Sequence, residues 1–275
     1  MNQKPQWRFR EMQPGEINVD PIEGEFFTTE TLGSLNDALV REAIQNSLDA
    51  AIGNKPVTVR FSFQKQSNNR SDFKEVVETY LNGIGAHLQA RHSGLQNTPT
   101  NAEDFDYLLI EDYGTRGLQG DILQYDDLDD DQRRNDFYYF WRNIGRTRKG
   151  DSDLGRWGLG KTVFQASSRI NSFFGLTVRD DDHRSMLMGQ SVLKIHKVNG
   201  QRYAPYGFFG LFDDDLPLPI EDKSFIDAFI RQFNIERNER SGLSILIPYP
   251  ERDINPIGSV KSAIIHYFFP ILAET

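Results

Sequence analysis

Eleven residues, Val40-Arg41-Glu42-Ala43-Ile44-Gln45-Asn46-Ser47-Leu48-Asp49-Ala50, limit the fold more than any other part of the chain. At 3.6 residues per turn, Val40, Ala43, Ile44, Ser47, Leu48 and Ala51 gather on one side of a helix, small and apolar enough to lie on a sheet. Glu42, Asn46 and Asp49 gather on the other, at i, i+4 and i+7. A carboxylate one turn from a carboxamide suits a metal–phosphate site. The amide oxygen is a hard ligand, and the carboxylate can take a proton from an attacking water. Taken alone, the pattern fits an ordinary amphipathic surface helix equally well.

The segments around this helix alternate. Residues 36–53 lead directly into Val57-Thr58-Val59-Arg60-Phe61-Ser62-Phe63, which alternates as a strand does. Residues 66–104 are polar, with an inserted helix expected over about 72–90. Phe105 to Asp112 holds a short buried strand, Tyr107-Leu108-Leu109-Ile110, that ends in acidic residues. Helices are expected over 133–144 and 160–168, and strands over Ile170–Val178, Ser185–His196 and Tyr206–Phe212. An amphipathic helix Phe225–Phe233, a buried strand Leu243–Ile247 and a closing helix Val260–Phe269 complete the pattern. The fold class expected from this order is α/β: a two-layer sandwich of one mixed sheet with helices on one face.

At 275 residues with 38% hydrophobic content, the chain can bury a substantial core. The absence of cysteine excludes disulfides and thiolate zinc sites and suits a reducing cytoplasm, where the protein is expected. His87, His92, His183, His196 and His266 show no metal-ligand spacing. No apolar run approaches the ~20 residues of a membrane helix, so no membrane association is expected. The formal charge of −9 argues against a surface built wholly for nucleic acid. Residues 142–161 run against that balance. Arg142, Arg146, Arg148, Lys149, Arg156 and Lys161 are opposed there only by Asp151 and Asp153, which suggests an anionic ligand or a basic loop.

Two further motifs lie downstream. Ile110-Glu111-Asp112-Tyr113-Gly114-Thr115-Arg116-Gly117 places an aspartate at the end of a buried strand, where its carboxylate can accept from an amino group. The glycines let backbone approach a ring closely. Gly155-Arg156-Trp157-Gly158-Leu159-Gly160-Lys161-Thr162 sets three glycines before a helix, an amide-rich cradle for phosphate. The same residues spell a Walker A sequence. Arg146 to Leu154 are too polar for the buried strand that a P-loop follows, and that reading leaves Glu42, Asn46 and Asp112 unexplained.

In order and spacing, the three motifs resemble the GHKL ATPase superfamily of gyrase B, ninety-kilodalton heat-shock chaperones, histidine kinases and MutL. There an E-x-x-x-N-S-x-D-A helix, an Asp-x-Gly-x-Gly turn and a Gly-x-x-Gly-x-Gly lid follow one another. The likeness covers most of residues 35–250, and the Gly-Lys lid and the Ser-Gly-Leu-Ser strand look more like divergent prokaryotic members that resemble microrchidia ATPases than like gyrase. It implies a Bergerat-type sandwich over residues 35–275, with an N-terminal extension over 1–34 and a mobile ATP lid over about 113–160. The implied ligands are ATP and Mg2+. Glu42 would be the catalytic base and Asn46 the metal ligand. Asp49, Asp112, Gly114, Gly117, Gly155, Gly158, Leu159, Gly160, Lys161 and Thr162 would join Asn46 around the nucleotide. Asp112 would read the adenine amino group.

The chain departs from the family pattern in three places. The second glycine of the Asp-x-Gly turn, Gly117, comes one residue late. A Gly-Thr pair expected on a late strand is matched only by Gly242-Leu243, with Ser241 or Ser244 as substitutes. Where relatives carry a second domain supplying a cation to the γ-phosphate, residues 35–275 leave no room for one, so a fragment of a longer ATPase is expected, or Lys161 in that role. The implied activity is a slow ATP-hydrolysing switch with an ATP-dependent homodimer, a protein partner or DNA engaged through a larger complex, and a setting in DNA restriction or phage defence. The alternatives are a non-hydrolysing interaction module and a P-loop NTPase using Gly155–Thr162.

Overall fold

A computed structural model of the chain describes residues 3–22, 34–66, 70–99, 105–127, 135–143, 160–237, 239–255 and 258. The strands are β1 (Gln6–Glu11), β2 (Thr58–Gln66), β3 (Phe105–Tyr113), β4 (Ser172–Val178), β5 (Ser185–Val192), β6 (His196–Val198), β7 (Gln201–Asp213), β8 (Leu216–Leu218) and β9 (Gly242–Pro248). The helices are α1 (Leu35–Asp49), α2 (Arg70–Tyr80), α3 (Gly85–Leu88), α4 (Asp136–Trp141), α5 (Thr162–Ala166) and α6 (Lys223–Gln232). The expected closing helix Val260–Phe269 lies outside the described residues. No helix among those described is long and apolar enough to cross a membrane.

The strands form one nine-stranded sheet in the order β1-β7-β5-β4-β9-β3-β2, with β6 and β8 paired to β7. The chain is therefore α/β, as its alternating pattern indicates, but the sheet is not mixed. Every described strand pair is antiparallel. Nor are the helices confined to one face. β4 is buried along its whole length, and β3 and β9 nearly so, so both faces of the sheet's middle must be covered.

Side-chain alternation divides the core accordingly. Leu109, Phe174, Leu176, Leu187, Phe209 and Leu246 point to one face, where Val76 and Tyr80 of α2 and Ile226 and Phe229 of α6 cover them. Leu108, Ile110, Phe173, Met186, Met188, Ile245 and Ile247 point to the other, beneath α1, α4 and α5. On this second face Trp141 of α4 stacks on Phe173 with ring centroids 5.5 Å apart. Gly175 makes room for it, because a Cβ there would lie 2.9 Å from the indole.

The segment expected as an N-terminal extension contributes β1, which adds an edge to β7 and buries Trp7 and Phe9. The Trp7 indole N–H donates to the Tyr80 carbonyl at 2.8 Å, tying this strand to α2. Beside it, His87 Nδ1 and His196 Nε2 lie 2.8 Å apart, and His196 Nδ1 lies 2.8 Å from the Lys194 carbonyl. A carbonyl only accepts, so His196 donates through Nδ1; with both rings neutral, its Nε2 then accepts from His87 Nδ1. Phe9 stacks on His87 at 4.4 Å and Tyr203 on His196 at 5.9 Å.

Burial pushes the His87 imidazole down to about 4, with the neighbouring His196 acting in the same direction, and burial lowers His196 as well. Groups kept neutral in the fold but free to ionise when unfolded contribute stability that is complete above pH 6.5, their ordinary value. That stability is lost as pH falls from there toward 4. In urea unfolding, the wild type is expected to lose on the order of 2 kcal/mol more than His87→Phe across this window. Parallel pH profiles for the two proteins would refute the assignment.

Candidate functional site

α1 begins at Ser34, whose hydroxyl caps the helix by accepting from the Asp37 N–H at 3.1 Å. Its buried residues are Ala38, Leu39, Val40, Ala43 and Ser47, so the helix is turned a little from the orientation expected from sequence. Leu48, expected on the buried side, is 45% exposed. Glu42 and Asn46 lie one turn apart and partly exposed. Glu42 Oε1 accepts from Arg41 at 3.0 Å, while Oε2 faces Gly160, at which any Cβ would collide with it. The Asn46 carboxamide makes no hydrogen bond within the described residues and is free to ligate. Asp49 serves partly as a brace: Oδ1 accepts from Gln45 at 3.0 Å and its carbonyl from Arg116 at 2.8 Å.

Asp112 sits one residue from the end of β3, paired across to Val59. Oδ1 accepts from Thr115 Oγ1 at 2.5 Å and from the Leu243 N–H at 2.7 Å. Oδ2 lies 3.2 Å from Ser47 Oγ of α1, whose one proton is shared with the Ala43 carbonyl at 2.8 Å. Burial pushes the carboxyl up. The Arg237 charge opposes this most, followed by the bonds from Thr115, Leu243 and Ser47. An ionised carboxylate offers about four acceptor positions, and three are used, so one is left for an outside donor.

The turn after β3 is held by backbone fit. Gly114 has φ 79°, and a Cβ on it would strike the Pro56 carbonyl. Gly117 has φ 71°, and a Cβ on it would strike the Val178 carbonyl. Both glycines are therefore required by the turn itself. Leu118 N–H donates to Thr177 Oγ1 at 2.8 Å, Arg179 donates to the Leu118 and Gly120 carbonyls, and Arg116 pairs with Asp136 at 2.8 Å. Of the expected lid span 113–160, residues 114–120 are thus anchored to the end of β4 and to α4.

Gly155, Gly158 and Leu159 lie outside the described residues. Gly160 reaches Glu42, and Thr162 is buried at the start of α5. Lys161 is buried too, and its ammonium donates to the main-chain carbonyls of Tyr139, Phe140 and Asn143 at the end of α4. An ammonium has three N–H bonds, and all are committed, so Lys161 could meet a phosphate only by releasing α4. Burial pushes the amine down to about 7, against the pull of the three carbonyl oxygens.

Five participants were not singled out from sequence: Ser47 as a donor to Asp112, Thr115, the Leu243 N–H, Arg237 and Thr177. Ser47 and Thr115 stand inside the quoted motifs and could have been found from them. At the Gly242-Leu243 position a backbone N–H, that of Leu243, donates to Asp112. Ser244 turns instead to Arg237 and Glu111. No group of three or more metal-ligating His, Cys, Asp or Glu side chains occurs among the described residues.

A scan against protein-family models finds no match, and neither does a search among curated proteins.

Lys161→Met would strand three carbonyls at the end of α4. It is expected to cost about 2–4 kcal/mol in equilibrium unfolding. An unchanged unfolding midpoint would show that the clasp does not hold α4 in place.

Proposed function

We propose that the chain is an Mg-ATP-binding, slowly hydrolysing conformational switch of the GHKL type, its sheet and the α1, α4 and α5 layer forming a Bergerat-type site. The observation that carries this reading is the meeting of three motifs far apart in sequence. Ser47 of the helix motif lies 3.2 Å from the Asp112 carboxylate of the turn motif, sharing its proton between that group and the Ala43 carbonyl, and Gly160 of the third motif packs against the Glu42 carboxylate. A surface helix with no shared task has no reason to meet both.

On this reading, Asp112 accepts from the adenine amino group with its remaining acceptor position. Asn46 offers an unengaged, partly exposed amide oxygen, a hard donor of the kind magnesium takes. Bound magnesium would neutralise phosphate charge. The chain's own residues orient the nucleotide between α1 and the strand ends, and Glu42 takes the proton of the attacking water. With Lys161 committed to α4, the lysine of the third motif is not offered to the γ-phosphate, which supports slow turnover. The same commitment weighs against the P-loop reading, in which that lysine is the phosphate ligand. The homodimer, the partner or DNA engaged through a larger complex, the setting in restriction or phage defence and a cytoplasmic location rest on the resemblance.

Calorimetric titration of ATP with magnesium tests the reading. Wild type should bind, Asn46→Ala should lose the metal-dependent part, and Lys161→Ala should only weaken binding through the fold. Asp112→Ala should lose about 10- to 100-fold. Glu42→Ala should bind normally and release no phosphate. A folded wild type that takes up no adenine nucleotide would overturn the reading in favour of an interaction module.

Within the same site, Gly160→Ala has to displace the Glu42 carboxylate, the flexible end of a side chain, so stability should barely change. Phosphate release should drop about tenfold or more with ATP affinity kept. Unaltered turnover would dissociate Gly160 from the catalytic group.

A further inference from the structure

Arg237, in the turn between α6 and β9, has no solvent exposure. A buried guanidinium is costly unless its surroundings compensate it, and the compensation here is unusual. No described carboxylate forms an ion pair with it. Nε donates to Ser244 Oγ at 2.9 Å, Nη1 to the Arg240 carbonyl at 3.1 Å and Nη2 to the Asp112 main-chain carbonyl at 2.9 Å. Its plane lies over the Tyr113 ring, 5.0 Å from the centroid, and Arg240 covers the same ring at 4.0 Å. Gly242, at φ 136°, fills the space between: a Cβ there would lie 2.5 Å from Asp112 Oδ1 and 2.7 Å from Arg237 Nη1. Arg237 therefore stands directly behind Asp112, joined to its backbone and separated from its carboxylate only by a glycine.

We propose that Arg237 is a positioning residue that sets base selectivity: it fixes the end of β3 and keeps the Asp112 carboxylate a pure acceptor, so that the site takes a 6-aminopurine and rejects a 6-oxopurine. The proposal rests on the reading of Asp112 as the base-recognising residue. An ionised carboxylate can only accept, which matches an exocyclic amino group and repels a ring carbonyl. Once protonated, it carries an O–H and can pair with that carbonyl, so ionisation decides which base leaves no buried group unpaired.

The groups around Asp112 leave this task to Arg237. From β3, Glu111 is buried and carries the same sign, with Oε1 taken by the Tyr113 hydroxyl at 2.8 Å. From β2, Arg60 faces Glu236 and Glu111. Arg240 lies over the Tyr113 ring, and Ser47, Thr115 and the Leu243 N–H supply dipoles without charge. Among these, Arg237 exerts the largest pull against the desolvation of Asp112.

Two measurements on the full chain test the proposal. The first is NMR titration of the Asp112 carboxyl without nucleotide, in wild type, Arg237→Met and Arg237→Lys. The second is calorimetric comparison of ATP with ITP, which differ at position 6 of the base. Arg237→Met should raise the Asp112 midpoint by about one unit or more and cut the ATP-over-ITP preference about tenfold. Arg237→Lys keeps the charge but loses the fork, so its midpoint should stay near wild type while its preference falls part of the way. A folded Arg237→Met with an unmoved midpoint would overturn the proposal. If that variant does not fold, Arg237→Lys decides, because wild-type selectivity in it would equally overturn the positioning role. A wild type that binds neither nucleotide would refute the reading of the site, while the titration still reports whether Arg237 governs Asp112.

Discussion

Both faces of β4 must be kept dry, and the rest of the molecule is arranged around that requirement. Phe173 points one way and Phe174 and Leu176 the other, so neither side of the sheet's middle can be left to water. Antiparallel pairing places β5 and β9 on either side of β4, and their own alternation extends the two apolar surfaces outward. α2 and α6 close one surface and α1, α4 and α5 the other. The helix that carries Glu42 and Asn46 is thus held first by Ala38, Leu39 and Ala43, residues with no chemistry of their own.

The polar groups collect where this dry interior ends. Asp112 lies at the end of β3, Gly242 at the start of β9 and Thr177 near the end of β4, three neighbouring strands that stop together. Backbone carbonyls at these ends are satisfied by side chains: Thr177 Oγ1 donates to that of Gly242 and Arg237 to that of Asp112. The carboxylate of Asp112 inherits a surrounding of fixed donors, so its orientation does not depend on solvent. This is the preorganisation that a recognition site needs.

Much of the scaffold was legible because periodicity is a local property. α1, β3, β4, β9 and α6 fall within a few residues of the spans read from apolar spacing. β1 was not, since Gln6 to Glu11 offers only Trp7 and Phe9 among polar neighbours, and an edge strand needs little more. The two-sided packing was written in consecutive apolar residues such as Phe173-Phe174, but a helix buried against a sheet leaves the same mark. In the site, Glu42, Asn46 and Asp112 could be chosen by residue type and spacing. The Leu243 N–H could not, because any residue but proline supplies one. Arg237 was hidden, and the inward turn of Lys161 was not foreseen, for a different reason: sequence shows charge but not where the charge is buried, and both cations turn to main-chain carbonyls.

Two of the three tryptophans give the two halves of this core separate voices. Trp7 is buried on the face covered by α2 and α6, and Trp141 on the opposite face beneath α4. Each is tied to an element whose placement matters: Trp7 to α2 through the Tyr80 carbonyl, and Trp141 to β4 through its stack on Phe173. Trp141 also stands two residues before Asn143, where the Lys161 clasp closes. Loosening of the α4 end would change the surroundings of one indole and leave the other undisturbed. Trp7 thus reports on the layer of α2 and α6 and Trp141 on the layer of α1, α4 and α5, an optical distinction read from emission once the third tryptophan, Trp157, is replaced.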